Sequence, residues 1–582
     1  MSIKYTNKAP NPLEYSADTG QAVDPNDFKV IAKDVPCQNA CPAKTNVPEY
    51  IRLIKEGKYE EAHLINQEEN VLPGVLGRIC THPCEDDCRH QWTNTQGPVR
   101  ICSLKRAAAD LKAGRSKPLP AYFEVSGKTV AVIGAGPAGL AAARELKRYG
   151  HAVTIYEKQP YAGGQVRMGV PQFRLPHEIL NEDIQAILDS GIKIVYDHTI
   201  DCYKVVDMQA EFDAVLLATG ANDPRSLKLE ELPDGVGIEG LNFMKRYNDG
   251  RPIEIEGDDI VIIGGGFTAI DCARSARRLA PQASVTIMYR RGQAQMAATE
   301  EEFSEMESEH ITIQTHVSPV SGKVVNGKLQ SVTFVHNRLG EPDDSGKPSF
   351  TTIEGSQFSV PCQTLIFAIG QSPDTTILPD GIEHTKGQTT TEAGLFVAGD
   401  FAMGNGDVIH AVADGKEAAE KIDCYLTGQV RRKTQVQIDQ AEETGRIREY
   451  DLLEPLHMHV LPTEMRDPIK EVELGFNSEQ AELHAKRCYF CNYKFEIDQD
   501  KCIHCDWCIK VAPRECILRL KTLSYDPETN AAEFEEVEAS KPEDATYIWI
   551  DSDQCIRCGN CYGICPVDAI TLRKADRCKG SC

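Results

Sequence analysis

Four cysteines near the end of the chain, Cys555, Cys558, Cys561 and Cys565, stand in C-x2-C-x2-C-x3-C spacing with Pro566 behind them. Three thiolates at two-residue intervals and a fourth before a proline form the ligand pattern of an iron–sulfur cubane, each iron of which takes one thiolate. Zinc also uses C-x2-C pairs, but a third cysteine at the same interval and the Cys-Pro ending favour iron–sulfur. A partner run, Cys502, Cys505 and Cys508, precedes it; Ala512 stands before Pro513 where its fourth cysteine would be, and Cys516 comes four residues later. In proteins with two such runs the fourth cysteine of each serves the other cluster. The spacing predicts one [4Fe-4S] site at Cys502, Cys505, Cys508 and Cys565. It predicts another at Cys555, Cys558 and Cys561 with Cys516 as fourth ligand, Cys578 and Cys582 competing for that place. A three-iron cluster at the Ala512 site is the alternative.

The chain has 22 cysteines. Cys202, Cys272, Cys362 and Cys424 are scattered and read as small core residues. The rest lie in two regions, Cys37 to Cys102 and Cys488 to Cys582. No signal peptide precedes them, so tight clustering points to metal ligation rather than disulfides.

A second chemistry is nucleotide binding. Lys128 to Ile133 reads as a buried strand, followed by Gly134, Gly136 and Gly139 in GxGxxG spacing with Pro137 and Ala138 between them. The first glycine permits the tight turn, the second lets backbone approach a pyrophosphate, and the third packs helix on strand. A second strand, Ala152 to Tyr156, ends at Glu157, where an acid holds a ribose hydroxyl. The pattern recurs: strand Asp259 to Ile263, then Gly264, Gly265, Gly266 and, at the third-glycine place, Ala269. Here the next strand ends in Arg290-Arg291 instead of an acid. Arginine accommodates a 2′-phosphate, so NADP(H) is favoured over NAD(H), the plainer reading being solvated charge. Thr268 and Gly370 complete the expected NAD(P)H set.

Ala218-Thr219-Gly220 and Gly394 to Asp400 (GLFVAGD) resemble the motifs that complete the FAD domain of two-dinucleotide flavoproteins, which implies FAD contacts at Thr219, Gly220, Gly399 and Asp400. The stretch Gly163 to Pro176 (GGQVRMGVPQFRLP) resembles a signature of the glutamate synthase small-subunit family, whose relatives include dihydropyrimidine dehydrogenase and ferredoxin:NADPH transhydrogenase subunits. The resemblance covers about residues 35–425. It implies that Gly164, Gln165 and Arg174 lie along the flavin and that Asp407 and Val408 begin a helix beneath it. It also implies two N-terminal [4Fe-4S] clusters. Here this sequence departs from the family: Cys37 and Cys41 are present, but the preceding C-x2-C pair is absent, since 30–34 read Val-Ile-Ala-Lys-Asp. A matching context, Ala485-Lys486-Arg487-Cys488-Tyr489-Phe490-Cys491, stands far downstream. By family analogy one cluster takes Cys37, Cys88, Cys488 and Cys491, and the other takes Cys41, Cys80, Cys84 and Cys102.

These residues need several domains to position them, and 582 residues exceed what one core holds. The expected fold is multidomain α/β. A helical [4Fe-4S] domain spans 1–120, an FAD domain 121–240 with 370–428, and an NAD(P)H domain 241–369. A polar linker spans 429–485, and a bacterial-type 2[4Fe-4S] ferredoxin (α+β) spans 486–582, with Cys488 and Cys491 folding back to the N-terminal site. Both nucleotide domains are Rossmann-like. The net charge of −24 argues against nucleic acid or an anionic membrane as partner; its bland consequence is solubility. No apolar run long enough to span a membrane is present, and a cytoplasmic protein is expected.

The expected function is an electron-transfer flavoprotein subunit that exchanges electrons between NAD(P)H and four [4Fe-4S] clusters through FAD. No acid–base triad or nucleophile is needed, because the cofactors carry the chemistry. With no synthase or amidotransferase region, the chain is expected to serve ferredoxin or a ferredoxin-dependent partner, such as a 2-oxoacid:ferredoxin oxidoreductase, in a hetero-oligomeric complex. Alternatives are a glutamate synthase small subunit with a separate large subunit, or a non-catalytic carrier or sensor; flavin-based bifurcation stays open.

Overall fold

A computed structural model describes residues 35–579, except 94–95, 226, 343–345, 386, 405, 432, 526–531 and 539. The sequence readings at 1–34 and at Cys582, and that for the Cys578 side chain, lie outside the described residues.

Two parallel five-stranded sheets form the centre. In the first, the order is Leu395–Val397, Ala214–Leu217, Thr129–Ile133, Ala152–Tyr156 and Lys193–Val195. Thr129–Ile133 is central and buried except at its first residue, as a run of β-branched residues covered on both faces must be. Its outer strand Leu395–Val397 comes from beyond the second sheet, so this half is discontinuous in sequence. The second sheet runs Ile238–Glu239, Thr364–Phe367, Asp259–Ile263, Ser284–Met288, Ile311–Gln314. An antiparallel layer, built on the long strand Lys328–Pro342, flanks it.

The N-terminal region is helical. Val47–Lys55 buries Tyr50, Ile51, Leu53 and Ile54 on one face, and Ile101–Leu111 is buried over most of its length. Buried charge ties this region to the first sheet's helices. Lys416, in Val408–Thr427, donates to Glu69 and to the carbonyl of Ala43. Asp183 accepts from the Val75 N–H at 3.0 Å.

The polar segment 429–485, expected as a linker, carries elements of its own. Thr434–Gln440 pairs antiparallel with Ile570–Lys579, which pairs on its other side with Tyr493–Ile497. Ser478–Ala485 is a helix with an Asn477–Gln480 capping box. A short polar strand carries little hydrophobic signal; the open edge of Ile570–Lys579 decides its conformation. The C-terminal region adds a second antiparallel sheet, Ala532–Glu536, Ile517–Tyr525 and Tyr547–Ile550. Among the described residues no helix is long and apolar enough to cross a membrane.

Helix Val408–Thr427 packs on Pro137–Arg148 at Gly415, where a Cβ would fall 2.2 Å from the Ala138 carbonyl oxygen. Gly415→Ala is therefore expected to cost about 1–3 kcal/mol through overpacking, measured as a lowered thermal midpoint.

Candidate functional site

The two sheets share one turn geometry at the ends of their first strands. Gly134 has φ +106°, and a Cβ there would lie 2.4 Å from the Ala218 oxygen; Gly264 has φ +149°, and a Cβ would lie 2.2 Å from the Ala368 oxygen. In each half the strand–turn–helix passes under the carbonyl that closes the neighbouring strand, and only glycine fits. Between the halves lies a cavity of about 930 Å³, within the size range of cofactor sites.

Every expected FAD-side residue lines this cavity except Gly139. A Cβ at Gly139 would lie 2.0 Å from the Gly134 oxygen, so its absence serves helix–strand packing. Gly136 and Gly164 face each other: a Cβ on Gly136 would meet only the Gly164 Cα, at 3.9 Å. This leaves the backbone gap a pyrophosphate needs. Glu157 ends its strand and accepts from the N–H groups of Ala135 and Gln159, both at 2.8 Å. Burial, with Asp407 and Asp414 nearby, pushes the Asp400 carboxyl up to about 6, against the pull of the Gly406 N–H. Arg174 lines the cavity yet is held by Asp271 at 2.7 Å and Glu302 at 2.5 Å, so it clamps the FAD-side loop to the second sheet's helices. FAD fits these residues.

On the other side Gly266, Thr268 and Gly370 line the cavity, while Gly264, Gly265, Ala269, Arg290 and Arg291 lie outside its lining. Gly266 is the open position, with nothing within 4 Å of an added Cβ, so an NAD(P)H pyrophosphate fits. The two arginines differ. Arg291 is buried and its Nε donates to the Pro348 carbonyl at 2.7 Å, whereas Arg290 is exposed, its guanidinium 5.1 Å from the Phe350 ring. Cys272 and Cys362 are core residues as expected, but Cys202 and Cys424 are only half-buried. Cys202 opens a helix and borders the cavity, a placement its strand-and-helix context does not reveal.

The structure brings expected ligand cysteines near one another at four places. Burial, then Cys491, Cys88 and Cys488, pushes the Cys37 thiol well up. Cys80 and Cys84 are each raised first by hydrogen bonding to Cys102, then by burial. Cys41 acts with Cys102, Cys80 and Cys84 on the buried Lys105, whose ammonium burial alone would lower but these thiols raise. Cys502 feels Cys505 and Cys565, and Cys508 feels Cys502 and Cys505. Cys516 is raised first by its hydrogen bond with Cys555, then by burial, Cys555, Cys561 and Cys558.

The loops share one backbone device. Phe490, His504 and Arg557 each stand two residues after a group's cysteine with φ of +49°, +53° and +57°. This turn aims the Phe490 N–H at the Cys488 sulfur and the Arg557 N–H at the Cys555 sulfur, both at 3.4 Å. His504 bonds Cys502 in the same way. Left-handed residues in such turns form anion-binding nests, so the Cys488–Cys491 loop has the conformation of the two C-terminal loops. Four converging buried thiols with N–H donors on their sulfurs suit an iron–sulfur cubane.

Sequence reasoning missed Thr81. It is the residue after Cys80, borders the cavity, and donates to Asp407 Oδ2 at 2.5 Å, while Asp407 Oδ1 caps Val408–Thr427 through the His410 N–H. Its place between Cys80 and Cys84 is the only signal it carries in sequence. His410, exposed, bonds only the Asp407 carboxylate among its described partners.

Residues 128–415 match the family described as pyridine nucleotide-disulphide oxidoreductase. Residues 17–117 match dihydropyrimidine dehydrogenase domain II, 4Fe-4S cluster, and 548–571 match the 4Fe-4S binding domain. The chain is 35% identical over 505 residues to the NADP(+)-dependent formate dehydrogenase subunit beta of Moorella thermoacetica (78% of this chain, 70% of that one). It is 33% identical over 506 residues to the NADPH-Fe(3+) oxidoreductase subunit beta of Geobacter sulfurreducens (78% and 75%). It is 31% identical over 422 residues to the glutamate synthase [NADPH] small chain of Azospirillum brasilense (67% and 86%).

Gly266 has an extended backbone, φ −95°, that any residue adopts. Gly266→Val is therefore expected to leave folding and bound flavin unchanged while weakening pyridine-nucleotide binding at least tenfold, measured by titration of flavin fluorescence.

Proposed function

The chain belongs to the glutamate synthase small-chain family of NAD(P)H-dependent oxidoreductases, with FAD- and 4Fe-4S-binding domains, and from that premise we propose that it is the electron-transfer subunit of a hetero-oligomeric enzyme, carrying electrons between NADPH and a partner subunit. The observation that carries this reading is continuity: one cavity reaches from Gly266 and Thr268, past Gly136 and Gly164, to Thr81 beside Cys80. When bound, FAD exchanges a hydride with the nicotinamide and single electrons with [4Fe-4S] clusters, which take them one at a time.

The chain's own residues hold and align these groups. Gly136 and Gly164 admit the FAD pyrophosphate, with Gly134 and Gly139 shaping the turn and helix packing behind them, Glu157 takes its ribose, and Asp400 and the Asp407-capped helix the flavin end. Gly266, Thr268 and Gly370 receive the pyridine nucleotide, with Gly264 forming the turn beneath them. Arg290, exposed at the strand end, suits a 2′-phosphate better than Arg291, whose Nε is spent on Pro348. The NADPH in the names of the Geobacter and Azospirillum relatives, and the NADP(+) in that of the Moorella relative, support the same choice.

Four clusters then stand in series. Thr81 joins the Cys41, Cys80, Cys84 and Cys102 site to the flavin helix. Cys37 lies in one short helix, Pro36–Ala40, and Cys41 caps its C-terminus, so this helix leads to the Cys37, Cys88, Cys488 and Cys491 site. The Cys516, Cys555, Cys558 and Cys561 site is next, and Cys561 feels Cys508 of the last. There Cys505 and Cys508 are half-exposed beside exposed Ile503 and Trp507, which suits delivery to a partner. The beta-subunit names of two relatives support a partner oxidoreductase subunit or a ferredoxin.

Anaerobic NADPH is expected to bleach the flavin and then render clusters paramagnetic, with about sixteen iron atoms per chain, four per site. Flavin reduced by dithionite but not by NADPH would leave a carrier. Cys488→Ser is expected to lower iron to about twelve and to remove an N-terminal EPR signal while sparing the ferredoxin signals. Arg290→Ala is expected to raise KM for NADPH about tenfold or more, the strength of a charge-assisted hydrogen bond, with KM for NADH little changed.

A further inference from the structure

Between the Cys37, Cys88, Cys488 and Cys491 group and the Cys516, Cys555, Cys558 and Cys561 group lies a buried guanidinium. Arg446, 4% exposed, comes from the polar segment 429–485. Its Nε donates to the Ile556 carbonyl at 3.0 Å; its Nη1 donates to the Lys486 carbonyl at 2.8 Å and to that of Cys488. Ile556 lies inside the Cys555–Cys558 loop, so one side chain grips both cysteine loops. Its own N–H donates to Thr444 Oγ1 at 3.2 Å, and that hydroxyl donates to the Arg557 carbonyl at 2.8 Å. The guanidinium lies 4.9 Å from the Tyr489 ring centre.

Two features describe its electrostatics, and the fully buried Arg487 beside Cys88 shares both. Its Nη2 is buried with no hydrogen-bond partner among the described residues. Arg89, which acts on Cys37 and Cys555, pairs with Asp553 at 2.8 Å, whereas Arg446 forms no ion pair among the described residues. Asp451, which it feels, is engaged by Arg514 at 2.8 Å and Tyr489 at 2.6 Å. A buried charge without a counter-ion is costly. Burial works against its charge, which Cys488, Tyr489, Asp451 and Cys491 favour, while Cys558 feels it from the other loop.

We propose that Arg446 is a positioning residue that raises the reduction potential of the cluster held by Cys37, Cys88, Cys488 and Cys491 and fixes that site against the ferredoxin site, a role that rests on the cluster reading above. Reduction adds one electron, with no bond made and no proton taken up, so the reduced site carries one more negative charge. A fixed buried cation lowers the energy of the reduced form more than that of the oxidised form. N–H donors and burial are the levers by which a protein sets such potentials.

The test is an EPR-monitored dithionite titration of the full chain with its clusters, for wild type, Arg446→Gln and Arg446→Lys, with iron content measured on each. Cys488→Ser identifies the signal to follow. Arg446→Gln is expected to keep its iron and to move that signal to lower potential, shifting its oxidised-to-reduced equilibrium about tenfold or more toward oxidised, the strength of a charge-assisted hydrogen bond. Arg446→Lys is expected to return most of the shift. If Gln loses iron at that site and Lys keeps it, the charge requirement stands. An unmoved midpoint in Arg446→Gln, or equal iron loss in both variants, overturns the role for Arg446 alone. A wild type with no Cys488-dependent signal overturns the cluster reading, and this role with it.

Discussion

Cys488 and Cys491 lie against Cys37 and Cys88, and this junction of distant chain segments organises the molecule. Buried thiols at close range raise one another's pKa and gain nothing from proximity until a cation gathers them. Holding them together takes backbone N–H donors on the sulfurs, as at Phe490, and a surround of fixed positive groups. Arg89 supplies one between Cys37 and Cys555, and Arg446 one between the Cys488 and Cys555–Cys558 loops. The chain as a whole carries −24, so concentrating buried cations here is a local arrangement against the overall balance.

The nucleotide halves show the opposite economy, one local solution used twice. Gly134 beneath Ala218 and Gly264 beneath Ala368 are the same close approach. The halves diverge at the end of the second strand. One finishes in Glu157, the other in Arg290, a change of charge that, under the proposed function, suits one end to a ribose hydroxyl and the other to a phosphate. Arg174 then joins the halves through Asp271 and Glu302, and both halves open onto one cavity.

The segment 429–485 shows how composition can mislead. It is polar and lacks a long apolar period, yet it supplies an edge strand, a capped helix and Arg446. Its contacts are hydrogen bonds and ion pairs to distant parts: Lys55 on the Gly445 carbonyl, Arg78 and Arg106 on Glu471, Arg466 on Glu309. Such contacts bury charge rather than hydrocarbon, and hydrophobic periodicity cannot register them.

Sequence alone determined what depends on neighbours along the chain. The glycine turns, Glu157, the C-x2-C loops and the parallel order of β-branched strands are local patterns, since a turn or a chelating loop is specified within a few residues. The displaced pair at Cys488 was legible only because its flanking residues matched a family context. Tertiary structure decided what depends on distant partners. It set which cysteines share a group, put Thr81 on Asp407, separated Arg290 from Arg291 by burial, and set Arg446 between two cysteine loops. Those outcomes turn on a single donor meeting a carbonyl or carboxylate tens or hundreds of residues away, and no period or spacing in the sequence encodes such a meeting.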